Sequence, residues 1–147
     1  MGMFAKKEKL RKSVSARLRY QLQQAKMSQS KLANAVGCSK DRIFSYVNGK
    51  ISEERMDIGF LKSLAAYFGL EPYYFCNDYH IFVDSKDVPA ALRKLRMKSE
   101  VSQKAFAEEI KIPLASYKKY ETGNVQLAER YWRRLRKELE EAVKSEK

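Results

Sequence analysis

Apolar residues between Ser28 and Gly49 recur at the spacing of one helical face, and Gly37 divides the run into two parts. The apolar positions of the first part are Leu32, Ala33 and Val36, and those of the second part are Ile43, Tyr46 and Val47. Glycine favours the left-handed backbone that ends a helix, and Ser28 and Ser39 can each cap a helix N-terminus. The pattern therefore predicts two short helices joined by a tight turn, which is the signature of a helix-turn-helix.

Three further helices are predicted around this pair. One begins after Ser13 and runs to about Lys26, and a second, capped by Asp57, runs from Ile58 to Phe68. A short fifth helix is expected over residues 71–75, with its aromatic side chains in the core rather than on a base-stacking surface. These helices would enclose one hydrophobic core with the central pair.

The same pattern returns 74 positions later (102 − 28 = 74), without a gap from residue 87 to residue 124. Ser102-Gln103 matches Ser28-Gln29, Phe106-Ala107 matches Leu32-Ala33, and Gly123 matches Gly49. A repeat of this length indicates an internal duplication. The sequence therefore predicts an all-α fold of two tandem domains, residues 1–76 and residues 87–147. A linker over residues 77–86 would join them, with an extended segment at residues 80–83.

The duplicated unit resembles the lambda repressor/Cro family of helix-turn-helix DNA-binding domains, also called the Xre family. The resemblance rests on Ser28-Gln29, Leu32-Ala33, Val36-Gly37, Ile43 and Asn48-Gly49. It implies a sequence-specific regulator of transcription that binds double-stranded DNA, in a bacterial or phage setting. In such motifs the second helix enters the major groove and turns its N-terminal residues towards base edges.

The resemblance also implies which positions contact DNA. In the first copy they are Gln29, Ser30, Lys40, Asp41, Arg42, Phe44, Ser45, Asn48 and Lys50. In the second copy they are Gln103, Lys104, Ser116, Lys118, Lys119 and Asn124. Phe44 is expected either on a thymine methyl group or in the core.

The first copy, with its recognition helix over Lys40–Val47, is expected to supply most of the base readout. Lys40 could donate to guanine O6 and N7, and Asp41 could accept from cytosine N4. The matching positions hold Leu114 and Ala115, which cannot form a hydrogen bond to a base edge. The second copy would then add non-specific affinity, a weaker half-site or a protein contact.

One difference between the copies concerns a charged pair. The family often pairs an arginine of the first helix with a glutamate at the end of the recognition helix, and the second copy has Arg96 and Glu121 there. The first copy has Leu22 and Val47 at the matching positions. Replacing both partners is tolerable, whereas removing one partner strands a charge. The expectation is that Arg96 pairs with Glu121 and that Leu22 touches Val47.

The charge of the chain fits a nucleic-acid partner. Its formal net charge is +12, and residues 1–76 carry 14 Lys and Arg against 6 Asp and Glu. An excess of this size favours binding to an anionic polymer. The basic stretch at residues 4–12 could be an arm that lies along DNA or a solvated terminus.

Other classes of function have less support. There is no long apolar run and no signal peptide, so a cytoplasmic protein without membrane contact is expected. Cys38 and Cys76 read as reduced core thiols, and His80 is the only histidine, so no metal, cofactor or small-molecule ligand is expected. No arrangement of nucleophile and base indicates an enzyme.

Two alternatives stay open. The lobes could bind a protein, as an antitoxin-like or anti-repressor partner would. The last helix, expected over Leu127–Ser145, carries an apolar stripe whose far end could form a homodimer or pack on the first lobe. Its arginine-rich cluster at residues 133–137 is expected to be a solvated face.

Overall fold

The computed structural model describes residues 13–144, and every regular element within that range is helical. The basic stretch at residues 4–12, for which an arm was predicted, lies outside the described residues. The chain divides into two compact units, Met1–Ile81 and Phe82–Lys147. No helix in the described range is long and apolar enough to cross a membrane.

The helices of the first unit are α1 (Val14–Ala25), α2 (Gln29–Val36), α3 (Lys40–Val47) and α4 (Ile58–Tyr67). A 3-10 turn, Glu53–Arg55, lies between α3 and α4. Helix α5 (Asp78–Ser85) contains the boundary between the units. The helices of the second unit are α6 (Val88–Ser99), α7 (Gln103–Glu109), α8 (Leu114–Thr122) and α9 (Glu129–Lys144).

Side-chain caps begin the first three helices where the sequence predicted them. Ser13, Ser28 and Ser39 each accept a hydrogen bond from the backbone N–H three residues later, at 3.1 Å. Gly37 has a φ of +74° and ends α2 in the left-handed conformation. The predicted helix boundaries around the helix-turn-helix are therefore confirmed.

The core of the first unit joins all four of its helices. Its fully enclosed side chains include Val14, Leu18, Leu32, Ile43, Leu61, Leu64, Ala65 and Phe75. The prediction of a fifth helix over residues 71–75 is wrong, because residues 72–75 form turns. Phe75 is nevertheless buried, as expected for a core residue, and the turns around it have their own backbone hydrogen bonds, such as that from Cys76 N–H to Tyr73 O at 2.9 Å.

The prediction of an extended segment at residues 80–83 is also wrong, because these residues lie in α5. The side chain of Asn77 accepts from the His80 N–H at 2.8 Å and so caps the helix. His80 is fully buried, its Nδ1 accepts from the Asn77 N–H, and its Nε2 donates to the Glu53 carbonyl at 2.6 Å. Both ring nitrogens therefore have structural partners, and the expected structural role of His80 holds.

In the second unit, α9 packs along α6. Leu139 is fully buried, Ala142 is 6% exposed, and the Lys94 ammonium donates to the Ala142 carbonyl at 3.1 Å. The end of the stripe, which could have formed a homodimer or packed on the first lobe, is covered at these two positions within its own unit. The basis for predicting a homodimer through α9 is lost.

Candidate nucleic-acid interface

Helix α3 is held against the rest of the first unit by one face. Ile43, Tyr46 and Val47 are at most 3% exposed. Two residues of α1 also bind the carbonyls at the end of α3: the Ser15 hydroxyl donates to Tyr46 O at 2.6 Å, and Arg19 donates to Val47 O at 2.7 Å. Since its last carbonyls are satisfied by α1, α3 has one fixed orientation on the unit.

The opposite face of α3 is open. Lys40, Asp41 and Phe44 are exposed, and Ser45 is half-buried. Residues three and four apart lie side by side on a helix, so these four form one continuous surface. Asp41 stands in the first turn, where the helix dipole favours a carboxylate. The side chains predicted to read bases are therefore not enclosed.

Arg42 lies on one flank of that surface and is already engaged within the unit. Its guanidinium carbon is 3.9 Å from the centre of the Phe60 ring, and its Nη2 is 3.8 Å from an Asp57 carboxylate oxygen. Asp57 is fixed in turn, because its N–H donates to the Tyr46 hydroxyl and its carboxylate caps α4. These contacts orient Arg42 and leave its side chain 41% exposed.

The other predicted residues of the first unit border α3 along the chain. Gln29 and Ser30 form the first turn of α2, where free backbone N–H groups favour an anion. Asn48 and Lys50 are exposed after the end of α3. The Asn48 side chain donates to Phe44 O at 3.0 Å and so completes the end of the helix.

The second unit presents its predicted residues differently. Lys104, Lys118, Lys119 and Asn124 are exposed, and Ser116 is half-buried. Helix α8 begins after Pro113 without a side-chain cap, and its first residues are the half-buried Leu114 and the exposed Ala115. Its open face therefore begins with apolar side chains.

The predicted ion pair of the second unit is confirmed. Arg96 donates to both carboxylate oxygens of Glu121, at 3.0 and 2.9 Å, and the Glu121 side chain is 4% exposed. The Gln103 amide donates to the same carboxylate at 3.2 Å. Burial by itself would raise the pKa of Glu121, but the hydrogen bonds, led by that from Arg96, lower it below its usual value. The hydrogen bond to Glu121 raises the pKa of Arg96.

In the first unit, Leu22 and Val47 stand at the matching positions. They are 7% and 2% exposed and belong to the same core cluster. Their expected mutual contact stays a prediction.

Several positioning residues escaped the sequence analysis. Arg17 is buried and donates to the carbonyls of Tyr74 and Cys76, which fixes the segment before α5. Burial lowers its pKa, and the neighbouring Glu53 offsets part of that effect. No periodicity signals such a contact.

The role of Arg19 was also missed, although the predicted 74-residue offset could have indicated it. Arg93 stands 74 positions later and donates to Glu121 O at 2.8 Å, as Arg19 does to Val47 O. Two arginines at this offset could have indicated a shared role in binding the backbone near the end of α3 and of α8.

Comparison with known protein families identifies the first unit. Residues 17–73 match the family model of the Cro/C1-type helix-turn-helix DNA-binding domain. No curated protein and no solved structure matches the chain significantly. The family match begins within α1, includes α2 to α4 and stops before α5, so one helix-turn-helix DNA-binding domain is identified and the second unit lies outside it.

Proposed function

We propose that this protein is a sequence-specific regulator of transcription that places α3 of the first unit in the major groove of DNA. The observation that carries the proposal is the open face of α3, where Lys40 and Asp41 are exposed at the N-terminal end. The major groove shows a distinct pattern of donors and acceptors for each base pair. A cation and a carboxylate side by side can distinguish guanine acceptors from cytosine donors.

In this proposal the open face of α3 contacts base edges, and the residues beside α3 contact phosphates. Lys40 donates to guanine O6 or N7, Asp41 accepts from cytosine N4, and Ser45 adds a donor or acceptor one turn further along. On the flanks, the first turn of α2 with Gln29 and Ser30 meets one phosphate, and Asn48 and Lys50 meet another. Arg42, oriented by Phe60, offers its remaining donors to the backbone.

We also propose that the second unit is a diverged second copy of the same fold. Its support is a set of local features that recur at the offset of 74 residues. Asp87 and Ser102 cap α6 and α7 as Ser13 and Ser28 cap α1 and α2. Glu100 repeats the left-handed conformation of Lys26, with φ of +57° against +52°. In this proposal its exposed lysines add affinity for phosphate without reading bases.

A protein-binding role is the second candidate, and the start of α8 favours it for the second unit. Leu114 and Ala115 replace the polar residues that a base-reading helix needs there. Affinity for DNA falls steeply with salt because counterions are released from the phosphates, whereas binding to a protein partner need not. The salt dependence of binding therefore separates the two candidates.

The test begins with selection of binding sites from random duplexes at a stated salt concentration. Lys40→Ala should weaken binding to the selected site by about 1–3 kcal/mol, the size of one good base contact, and should weaken binding to a scrambled duplex much less. Leu114→Ala should alter the preferred sequence less than Lys40→Ala does. Lys98→Ala, at an exposed position of α6, is the charge-matched control. A larger effect of Leu114→Ala, or binding that salt leaves unchanged, would contradict the proposal.

A further inference from the structure

Phe44 is an exposed aromatic residue on the face of α3 that is proposed to meet DNA. Its side chain is 45% exposed, while the apolar residues on the inner face of α3 are at most 3% exposed. Within residues 13–144, no stacking or edge-to-face contact joins its ring to another aromatic ring. The ring therefore contributes little to the core.

The backbone carbonyl of Phe44 takes part in the fold, whereas its ring makes no aromatic contact within the described residues. The Phe44 carbonyl accepts hydrogen bonds from the Asn48 N–H at 2.9 Å and from the Asn48 side chain at 3.0 Å. Any residue could supply that carbonyl. A single exposed apolar side chain is ordinary on a protein surface. The informative feature is its place, because Phe44 follows Lys40 by four residues and Asp41 by three and so lies beside both.

The most prominent apolar group in the major groove is the one that best matches an aromatic ring. It is the C5-methyl group of thymine, since the other base edges present hydrogen-bond donors and acceptors. One helical turn advances about 5.4 Å along α3, and successive base pairs are about 3.4 Å apart. The methyl group should therefore lie within about two base pairs of the base that Lys40 contacts.

We propose that Phe44 is a specificity-determining residue that recognises a thymine by packing its ring on the C5-methyl group. This inference rests on the proposed function of α3. Lys118 stands at the matching position of the second unit and is exposed there, so it offers a matched comparison without an apolar ring. The recognition is confined to the first unit.

The experiment changes one methyl group at a time. Each thymine of the selected site is replaced by deoxyuridine, which removes only the C5-methyl group, and Kd is measured by fluorescence anisotropy at fixed salt. For the wild-type chain, one or two positions should lose affinity by roughly fourfold, the worth of one buried methyl group. For Phe44→Ala the same replacement should cost less than about 1.5-fold, because the ring is gone. Lys118→Ala should keep the wild-type pattern.

The outcomes separate this inference from the proposed function. If the chain binds its selected site with the expected salt dependence but every deoxyuridine duplex binds as well as its thymine parent, the role of Phe44 is refuted and the role of α3 stands. The same holds if Phe44→Ala keeps the full thymine preference. If no duplex is selected at all, the proposed function fails. A circular dichroism melt of Phe44→Ala, expected to match the wild type, shows that the variant is folded.

Discussion

The two units carry different side chains at two pairs of positions that lie 74 residues apart. The first unit buries Leu22 and Val47, and the second places the hydrogen-bonded pair of Arg96 and Glu121 at the corresponding positions. A buried ion pair must offset the loss of hydration of both charges, whereas an apolar pair only removes surface from water. The comparison predicts that the second unit should accept the apolar pair when both partners are replaced together.

The difference has a consequence for the glutamine in the first turn of the second helix. In the second unit the Gln103 amide donates to Glu121. In the first unit the residue 18 positions after Gln29 is Val47, which has no carboxylate to accept such a bond. The Gln29 amide is therefore left for the phosphate contact proposed above. The charged pair therefore occupies the glutamine amide of the second unit, a group that the first unit could offer to DNA.

The first turns of α3 and α8 also differ, and again the first unit presents the more polar groups. Ser39 caps α3, and Lys40 and Asp41 follow it on the open face. Helix α8 follows Pro113, has no side-chain cap and begins with Leu114 and Ala115. A polar first turn suits a groove lined with base edges, whereas this apolar one does not. The same helical frame therefore carries two different surfaces.

The largest expected effect comes from breaking the charged pair of the second unit on one side only. Arg96→Leu leaves the Glu121 carboxylate buried without its main partner and should lower the free energy of unfolding by about 3 kcal/mol. Arg96→Leu with Glu121→Val copies the first unit and should recover stability to within about 1 kcal/mol of the wild type. Urea unfolding followed by fluorescence of Trp132, the single tryptophan, reports on this unit.

The control for that comparison is an exposed pair on α9. Arg133 pairs with Glu129 one turn away, and the Arg133 side chain is 71% exposed. Arg133→Gln should cost no more than about 0.5 kcal/mol, as exposed helix pairs do. A double variant of Arg96 and Glu121 that is no more stable than Arg96→Leu alone would show that the two units are not interchangeable at this site.

Lowering the pH should have a smaller effect on the stability of the second unit. Since the pKa of Glu121 is lower in the folded chain than in the unfolded chain, the ionised group stabilises the fold above its unfolded pKa of about 4.3. That contribution is lost as the pH falls through the lower folded pKa. The wild-type urea midpoint, read from Trp132, should therefore fall more between pH 7 and pH 3 than that of the double variant. Parallel curves for the two proteins would argue against a stabilising Glu121 carboxylate.

The smallest effect concerns the left-handed residue after the second helix of each unit. Gly37 has a φ of +74°, and Lys111 holds the matching position with a φ of +58°. A Cβ atom at Gly37 would meet no atom within 4 Å, so Gly37→Ala should cost about 1 kcal/mol for backbone strain alone. Lys111→Gly should gain roughly 0.5–1 kcal/mol because it relieves the same strain. Amide hydrogen exchange in α2 and α7 measures both changes, and equal signs for the two variants would contradict this account.

Much of the first unit could be predicted because its signals are local. Ser13, Ser28, Ser39 and Asp57 each cap a helix through a hydrogen bond to the backbone three residues on. Such contacts depend on neighbours in the chain and are readable as spacing. The prediction that Arg96 pairs with Glu121 is also confirmed, because the family resemblance named both positions from the sequence.

The failures involve contacts between distant parts of the chain. Asn77 caps α5 through a local hydrogen bond, but its side chain is also held by the distant Glu53, whose carboxylate oxygen accepts from it at 2.9 Å. A contact between residues 24 positions apart produces no periodic pattern in the sequence from which it could be predicted. The apolar stripe of α9 was readable, but whether a second chain or its own chain covers it depends on packing.

The order of apolar residues, glycines and capping serines was enough to determine the helix pairs and the polar face of α3, since these depend on local backbone preference and helical period. Only the three-dimensional packing decided that Arg42 rests on Phe60, that Arg19 holds the last carbonyl of α3, and that Phe44 stays outside the core. Each of these outcomes depends on which surfaces meet after folding, and that information is spread over residues far apart in the chain.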